Sequence, residues 1–380
     1  MASGTTTHSS SIPYQAGAQF RIRAHVPPEP FGGAYGPNPR PQVSVWPDNV
    51  PAQRLPFALQ YPPLETPPPP SVTEHTFTIT GTKTLRRVGI DDGGAHVVTG
   101  HLGQNKAVSY VAKIYDGLSY PFEDPDMGWD FMTLADADYA VEAWAYKTIQ
   151  PVPTVGAKVV PDYHGAWTFS VATDEPGRRR WVRMLLLQLV PGETVFDKIL
   201  RATKDGAVRY DLLPDESFRL HVLKRTFEAE ISIWWDAEVT HGDLEPRNVM
   251  VQGDGSVVLI DFNQAVVHRF QKHWPHAKYS KKAHHLPPSP IKRRWPFAPG
   301  GANFANNEER DGPWARWIPQ SWLGNKELAA EWLLKTWGNP PPNKYAPLPK
   351  YFLDHPAHKE RGPELIALLE KLGRKPAEKK

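Results

Sequence analysis

One stretch constrains this chain more than any other: His241-Gly242-Asp243-Leu244-Glu245-Pro246-Arg247-Asn248, followed by an apolar run and then Leu259-Ile260-Asp261-Phe262. Two carboxylates and an amide recur at fixed offsets around a strand-forming segment. That spacing suits phosphoryl transfer, in which one carboxylate meets an acceptor hydroxyl while an Asn and a second carboxylate hold Mg2+ on nucleotide phosphates. Met250-Val251 and Val257 to Ile260 read as short strands around the turn signal Gly253-Asp254-Gly255, a hairpin carrying one acidic group at each end.

A site of this kind also needs a cation for the phosphates. Val111-Ala112-Lys113-Ile114 offers one on a strand predicted over Val108 to Ile114. A lysine flanked by apolar residues is costly to bury without an anionic partner. Glu142 is the natural partner, in the middle of a helix predicted over Asp136 to Ile149 with Asp136 as its cap. Tyr139 and Tyr146, about one turn to either side, mark a semi-buried face. The plainer alternative is an edge-strand lysine and a solvated glutamate; it loses weight beside the Asp243 segment.

The remaining pattern is strands with one helix, then mostly helices. His75 to Thr80, Val97-Val98 and the apolar run Val182 to Val190 read as strands. Asp215 to Ala237 reads as a long helix with Leu220, Leu223, Phe227, Ile231 and Trp234 on one face. Asn325 to Trp337 reads as a helix capped by Asn325, with Gly338 just past its end. The order predicts an α+β chain in two lobes. The 41 prolines are densest towards the ends. Residues 1–75 are therefore expected to be Pro-rich and disordered, with one short strand at Val43 to Trp46 as the exception. Residues 76–190 form a first lobe with a hinge, 191–338 a second lobe, and 339–380 a Pro/Lys-rich tail with one short helix at Pro363 to Leu372.

Composition excludes several functions. There is no cysteine, so disulfides and thiolate metal sites are absent. A net charge of +3 gives no argument for nucleic acid. The N-terminus shows no apolar signal-type stretch, and no run approaches the roughly 20 apolar residues of a membrane span. These features predict a soluble intracellular protein, cytoplasmic or nuclear, with no membrane partner.

The chain resembles the protein-kinase-like fold superfamily over roughly Thr76 to Trp337. His241-Gly242-Asp243 with Asn248 resembles the catalytic loop of the aminoglycoside and choline phosphotransferase branch. The longer string through Val249, with Val111 to Asp116, is similar to kinase-like proteins common in fungi. The resemblance implies a bilobal kinase-like fold, a small β-rich N-lobe and a larger, mainly helical C-lobe, using ATP and Mg2+. It implies that Asp243 orients the acceptor hydroxyl and accepts its proton, and that Asn248 and Asp261 hold the metal. Lys113 would contact phosphate, with Glu142 as its helix partner. The backbone C=O of Gln188 and N–H of Val190 would meet the adenine edge. His241 would brace the loop.

Departures from the family pattern matter as much. The glycine-rich loop is degenerate: Gly89-Ile90-Asp91-Asp92-Gly93-Gly94-Ala95 can turn and expose backbone N–H groups, and Gly93 and Gly94 are its candidates for phosphate contact. A plain hairpin is the alternative there. Gly242 stands where signalling kinases carry an arginine for an activation-loop phosphate, so loop phosphorylation loses its physical basis. Glu245 stands where Ser/Thr kinases place a lysine. Arg247 has two readings, neutralising Glu245 or touching phosphate. Asn263 replaces the glycine after Asp-Phe. The basic segment Arg269 to Phe297 reads as a solvated loop, an acidic-acceptor site, a histidine metal site, or, at Lys292 to Arg294, part of a nuclear signal. The Trp314 to Trp322 segment reads as packing or, alternatively, as an aromatic cage for a cation.

The leading expectation is an ATP-dependent phosphotransferase acting on a hydroxyl. The alternatives are a weak or inactive kinase-like binding scaffold, and an atypical Ser/Thr protein kinase.

Overall fold

The computed structural model describes residues 13–40, 54–65, 73–82, 93–121, 123–124, 128–272, 286–295, 314–323, 325–338, 341 and 343–346. The architecture is α+β, and the chain divides into two compact units. The first contains Met1–Pro151, Pro161–Leu189 and Asp261–Trp274; the second contains Val152–Val160, Val190–Ile260 and Pro275–Lys380.

The first unit is built on a closed antiparallel barrel. Its strands are β1 (Gln19–Ala24), β2 (Glu74–Thr82), β3 (His96–Leu102), β4 (Tyr110–Tyr115), β5 (Tyr163–Ala172) and β6 (Arg179–Gln188), hydrogen-bonded in the order β1-β2-β3-β4-β6-β5. Helix α1 (Arg54–Gln60) lies between β1 and β2, and helix α2 (Phe131–Ile149) between β4 and β5. Alternation along each strand fills the interior with side chains such as Ile22, Phe77, Ile114, Phe169 and Met184.

The expectation of disorder through residue 75 is therefore corrected for 13–40 and 54–65. Ile22 sits fully buried inside the barrel, and β1 closes it by pairing with β2 and β5. Closure satisfies the backbone groups that an edge strand would leave unpaired. The strand proposed at Val43 to Trp46 lies outside the described residues. The α2 cap is also corrected. Asp130, not Asp136, accepts from the N–H groups of Met132 and Thr133, both at 2.8 Å. Asp136 lies inside the helix and is buried against Arg40, whose Nε donates to it at 3.1 Å.

The second unit holds a small antiparallel sheet. Its strands are β7 (Glu193–Thr194), β8 (Val249–Val251) and β9 (Val257–Leu259), with β8 in the centre. Helix α3 (Val195–Arg201) starts at Thr194 with a reciprocal cap to Asp197. Helix α4 (Glu216–Asp236) buries Val222, Leu223, Phe227 and Ile231, close to the face expected from sequence. Helix α5 (Pro290–Arg294) and helix α6 (Lys326–Trp337) follow, and Asn325 caps α6 as expected. Trp332 and Trp337 pack on Phe227.

Parts of the basic segment are visible. At α5, Arg294 is buried and its Nε donates to Glu230 at 3.0 Å, which corrects the solvated-loop expectation for that stretch. His273, His276, His284 and His285 lie outside the described residues, as does Pro363 to Leu372. Trp314, Trp317 and Trp322 are all buried, with Trp317 Nε1 donating to Arg219 O at 3.1 Å; they pack rather than form an open cage. Among the described residues no helix is long and apolar enough to cross a membrane.

Candidate nucleotide and phosphoryl-transfer site

Strand periodicity sets the surroundings of Lys113. Ala112 and Ile114 point into the barrel, so Lys113 and Tyr115 point the opposite way, towards α2. There Lys113 Nζ donates to Glu142 Oε2 at 2.5 Å and to Asp261 Oδ1 at 2.7 Å. Glu142 is fully buried. Its Oε2 also accepts from Tyr115 Oη at 2.6 Å, and its Oε1 from the Phe262 N–H at 3.2 Å. A buried carboxylate is tolerable only with such a complete set of donors.

Electrostatics follow from this shell. Burial alone would push the Lys113 ammonium down, but Asp261 and Glu142 outweigh it and hold its pKa above the usual lysine range. Burial raises Glu142, and Lys113 opposes that rise. One turn earlier on the same face of α2, Asp138 Oδ2 accepts from Tyr120 Oη at 3.1 Å and Asn263 Nδ2 at 3.2 Å. Some of the residue reaches solvent, yet its carboxyl lies deep enough that burial pushes its pKa up to about 7.

Asp261 has φ +67°, a left-handed backbone costing on the order of 1 kcal/mol for an L residue. The side chain is 39% exposed, with Oδ1 bound to Lys113. The chain then turns back, with the Ala265 N–H donating to Phe262 O at 3.0 Å. Phe262 is fully buried, edge-on to Tyr146. The segment Asp261–Trp274 thus belongs to the first unit, where the sequence division placed it in the second lobe; side chains at 113, 138 and 142 hold it.

The second unit carries the Asp243 loop. His241 is buried between two backbone groups: its Nδ1 accepts from the Asp243 N–H at 3.3 Å, and its Nε2 donates to Ile260 O at 2.9 Å. These partners fix the imidazole tautomer and brace the loop. Asn248 Nδ2 donates to Asp243 O and to Asp243 Oδ2, each at 2.8 Å. Arg247 donates to Asp243 Oδ2 at 2.6 Å and pairs with Glu245. Both bonds to the Asp243 carboxylate fall on Oδ2; among the described residues, none falls on Oδ1. Arg247 thus neutralises Glu245 and also holds Asp243.

The structure brings Lys113, Glu142 and Asp261 together in one unit, and Asp243 with Asn248 in the other. Gln188 ends β6, where its N–H donates to Asp162 O at 2.9 Å and its side chain accepts from the Asp162 N–H. Val190 packs in the second unit with Met250, Val258 and Ile260, an apolar platform. Gly93 and Gly94 are put to another use. The Gly94 N–H donates to Ser119 O at 2.9 Å, and a Cβ on Gly93 would lie 2.2 Å from that same oxygen. Glycine is required there for close backbone approach, and the Gly94 donor is spent inside the unit.

Tyr115 and Asp138 were not singled out from sequence, though both carried a signal. Tyr115 is two residues from Lys113 on one strand, and Asp138 is four before Glu142 on one helix; each spacing puts its pair on a common face.

A family model for the RIO domain matches residues 204–277, a stretch that includes Asp243, Asn248 and Asp261 but not Lys113 or Glu142. The RIO domain is an atypical protein-kinase-like family, and the match supports a place in the kinase-like superfamily. No curated protein matches the chain. The expected aminoglycoside and choline branch gains nothing from these comparisons; the match falls on the RIO family instead.

Proposed function

We propose that this chain is an ATP-dependent phosphotransferase of the atypical-kinase type, acting on a hydroxyl. The observation that carries the reading is the buried Lys113 ammonium held by both Glu142 and Asp261. Two carboxylates around one lysine, one of them on a strained backbone, make poor use of stability unless the charges serve a ligand. Lys113 would contact the ATP phosphates, with Glu142 fixing its position. Gln188 C=O and Val190 N–H would meet adenine.

Asp261 and Asn248 each offer an oxygen that suits Mg2+. Asp261 presents a partly exposed carboxylate, and Asn248 has its amide nitrogen committed to Asp243, which leaves its carbonyl oxygen as a hard ligand. When bound, the ion would neutralise charge on the phosphates. Asp243 would orient the acceptor. Its Oδ2 is occupied by Arg247 and Asn248, so Oδ1 would take the hydroxyl proton as the acceptor oxygen bonded to the γ-phosphorus and ADP departed. The RIO match favours a protein Ser/Thr hydroxyl over a small molecule.

A binding-module reading keeps one observation in its favour, the Gly94 amide committed to Ser119. A thermal shift with ATP, with and without Mg2+, separates the two. Ligand at 100 times its dissociation constant adds roughly 2.7 kcal/mol to the folded state. The shift should require Mg2+, vanish in Asp261→Ala and persist in Asp243→Asn, while transfer to a generic protein substrate is lost in Asp243→Asn. No Mg2+-dependent shift in the wild type would favour the binding module.

A further inference from the structure

Tyr35 comes from the region that composition assigns to disorder, yet it is buried. Its Oη donates to Ala265 O at 2.9 Å and accepts from the Val267 N–H at 2.8 Å. One hydroxyl therefore satisfies two backbone groups on the segment that follows Asp261. Ala265 and Val267 are themselves buried, so water is a poor substitute. Phenylalanine would remove both bonds.

The loop that presents Tyr35 is itself fixed. Phe31 packs against Ala137 and Ala140 of α2. The Gly32 N–H donates to Gly36 O at 2.7 Å, and the Tyr35 N–H to Gly32 O at 2.9 Å. Gly32 has φ +76° and lies under Trp129, whose ring a Cβ would strike at 2.0 Å. Five residues after Tyr35, Arg40 forms its buried pair with Asp136. The same N-terminal arm thus grips α2, which carries Glu142, and the turn that carries Asp261.

We propose that Tyr35 is a positioning residue for Asp261, and that the N-terminal arm is an integral brace of the nucleotide site. The inference rests on the nucleotide-site reading above. Asp261 stands at a left-handed turn with its carboxylate on Lys113, and bonds on either side of it hold that turn in place. Glu142 pins the near end through the Phe262 N–H, Asp138 the middle through Asn263, and Tyr35 the far end at residues 265 and 267.

The test is a Mg2+ titration of the ATP-dependent thermal shift on the full chain, wild type against Tyr35→Phe. A positioning role raises the half-saturating Mg2+ concentration roughly three- to tenfold, the net worth of about one hydrogen bond. A lower melting temperature without nucleotide, with the half-saturating Mg2+ unchanged, would mean that Tyr35 only stabilises the fold and would overturn the proposal. A wild type with no Mg2+-dependent shift removes the nucleotide-site reading and this inference with it, a distinguishable outcome. Should Tyr35→Phe fail to fold, hydrogen exchange on the wild type decides. The Val267 amide is expected to open together with the Gly32 and Tyr35 amides; much faster exchange at Val267 alone contradicts the clamp.

Discussion

Replacing Lys113 with methionine removes an ammonium while keeping a side chain of similar length. Two carboxylates lose their shared partner, but not equally. Asp261 is 39% exposed, so water can solvate it. Glu142 is fully buried and keeps only Tyr115 Oη at 2.6 Å and the Phe262 N–H at 3.2 Å. Removing one member of a buried pair costs about 3–5 kcal/mol; with two donors left, about 3 kcal/mol is expected at high pH. For a unit of this size that lowers Tm by roughly 6–12 °C. The sign with pH is fixed. Burial already raises the Glu142 pKa, and Lys113 opposes that rise. Without Lys113 the folded-state value climbs further above the unfolded one, so the folded variant binds the extra proton. Its stability is then present at low pH and lost as pH rises through the folded pKa. The deficit should be larger at pH 8 than at pH 5. Adding Glu142→Gln removes the orphaned charge, keeps an acceptor oxygen, and should recover most of the loss at pH 8. Urea unfolding of the full chain without nucleotide, followed by tryptophan fluorescence at both pH values, measures all three. A Lys113→Met protein as stable as wild type at pH 8, or one further weakened by Glu142→Gln, would refute the reasoning.

Two further outcomes follow from the same geometry. Asp138, pushed up to about 7 from 3.8, holds its proton longer folded than unfolded, so it erodes stability as pH rises between those values, by at most about 1.4 kcal/mol per pH unit. Asp138→Asn should flatten that slope in urea midpoints taken from pH 5 to 8; an unchanged slope would put its source elsewhere. Arg247→Met removes the 2.6 Å donor from Asp243 Oδ2 but leaves the Asn248 bond. Turnover should fall about tenfold, the scale of one hydrogen bond to a charged group, with the Mg2+-dependent ATP shift unchanged; a lost shift would assign Arg247 to nucleotide binding.

What was legible in the sequence was what is local or energetically forced. The span from Asp243 to Asn248 is one loop, so its spacing survives folding. Lys113 and Glu142 are 29 residues apart, but an apolar strand makes a lysine demand a partner, and the helix supplied one residue at the right depth. The barrel was not legible. Phe20 and Ile22 give only one alternation in β1, and about 50 proline-rich residues separate that strand from β2, so no local pattern announces closure. The α2 cap was misplaced for a related reason. Asp130 and Asp136 both precede helix-forming runs, and only the tertiary pair with Arg40 shows that Asp136 is interior. Gly93 admits two readings because a phosphate cradle and a close backbone crossing demand the same residue.

The left-handed turn at Asp261 then raises a question of order. In signalling kinases a phosphate on the following loop recruits an arginine from the catalytic loop, and that pair organises the segment. Here residue 242 is glycine, so no guanidinium stands ready at that position. Something else must oppose the entropy and strain of holding residues 261–267 in one conformation. The bonds from Glu142, Asp138 and Tyr35 do so with no added charge, and the last of them comes from a segment 230 residues away in sequence. Order supplied by covalently tethered neutral and buried groups resists salt far better than order supplied by an exposed ion pair, since screening acts on solvent-facing charges. The protection of the Val267 amide should therefore be nearly the same at low and high ionic strength. A marked loss of protection with salt would show that an ion pair, not the Tyr35 hydroxyl, holds the far end of the turn.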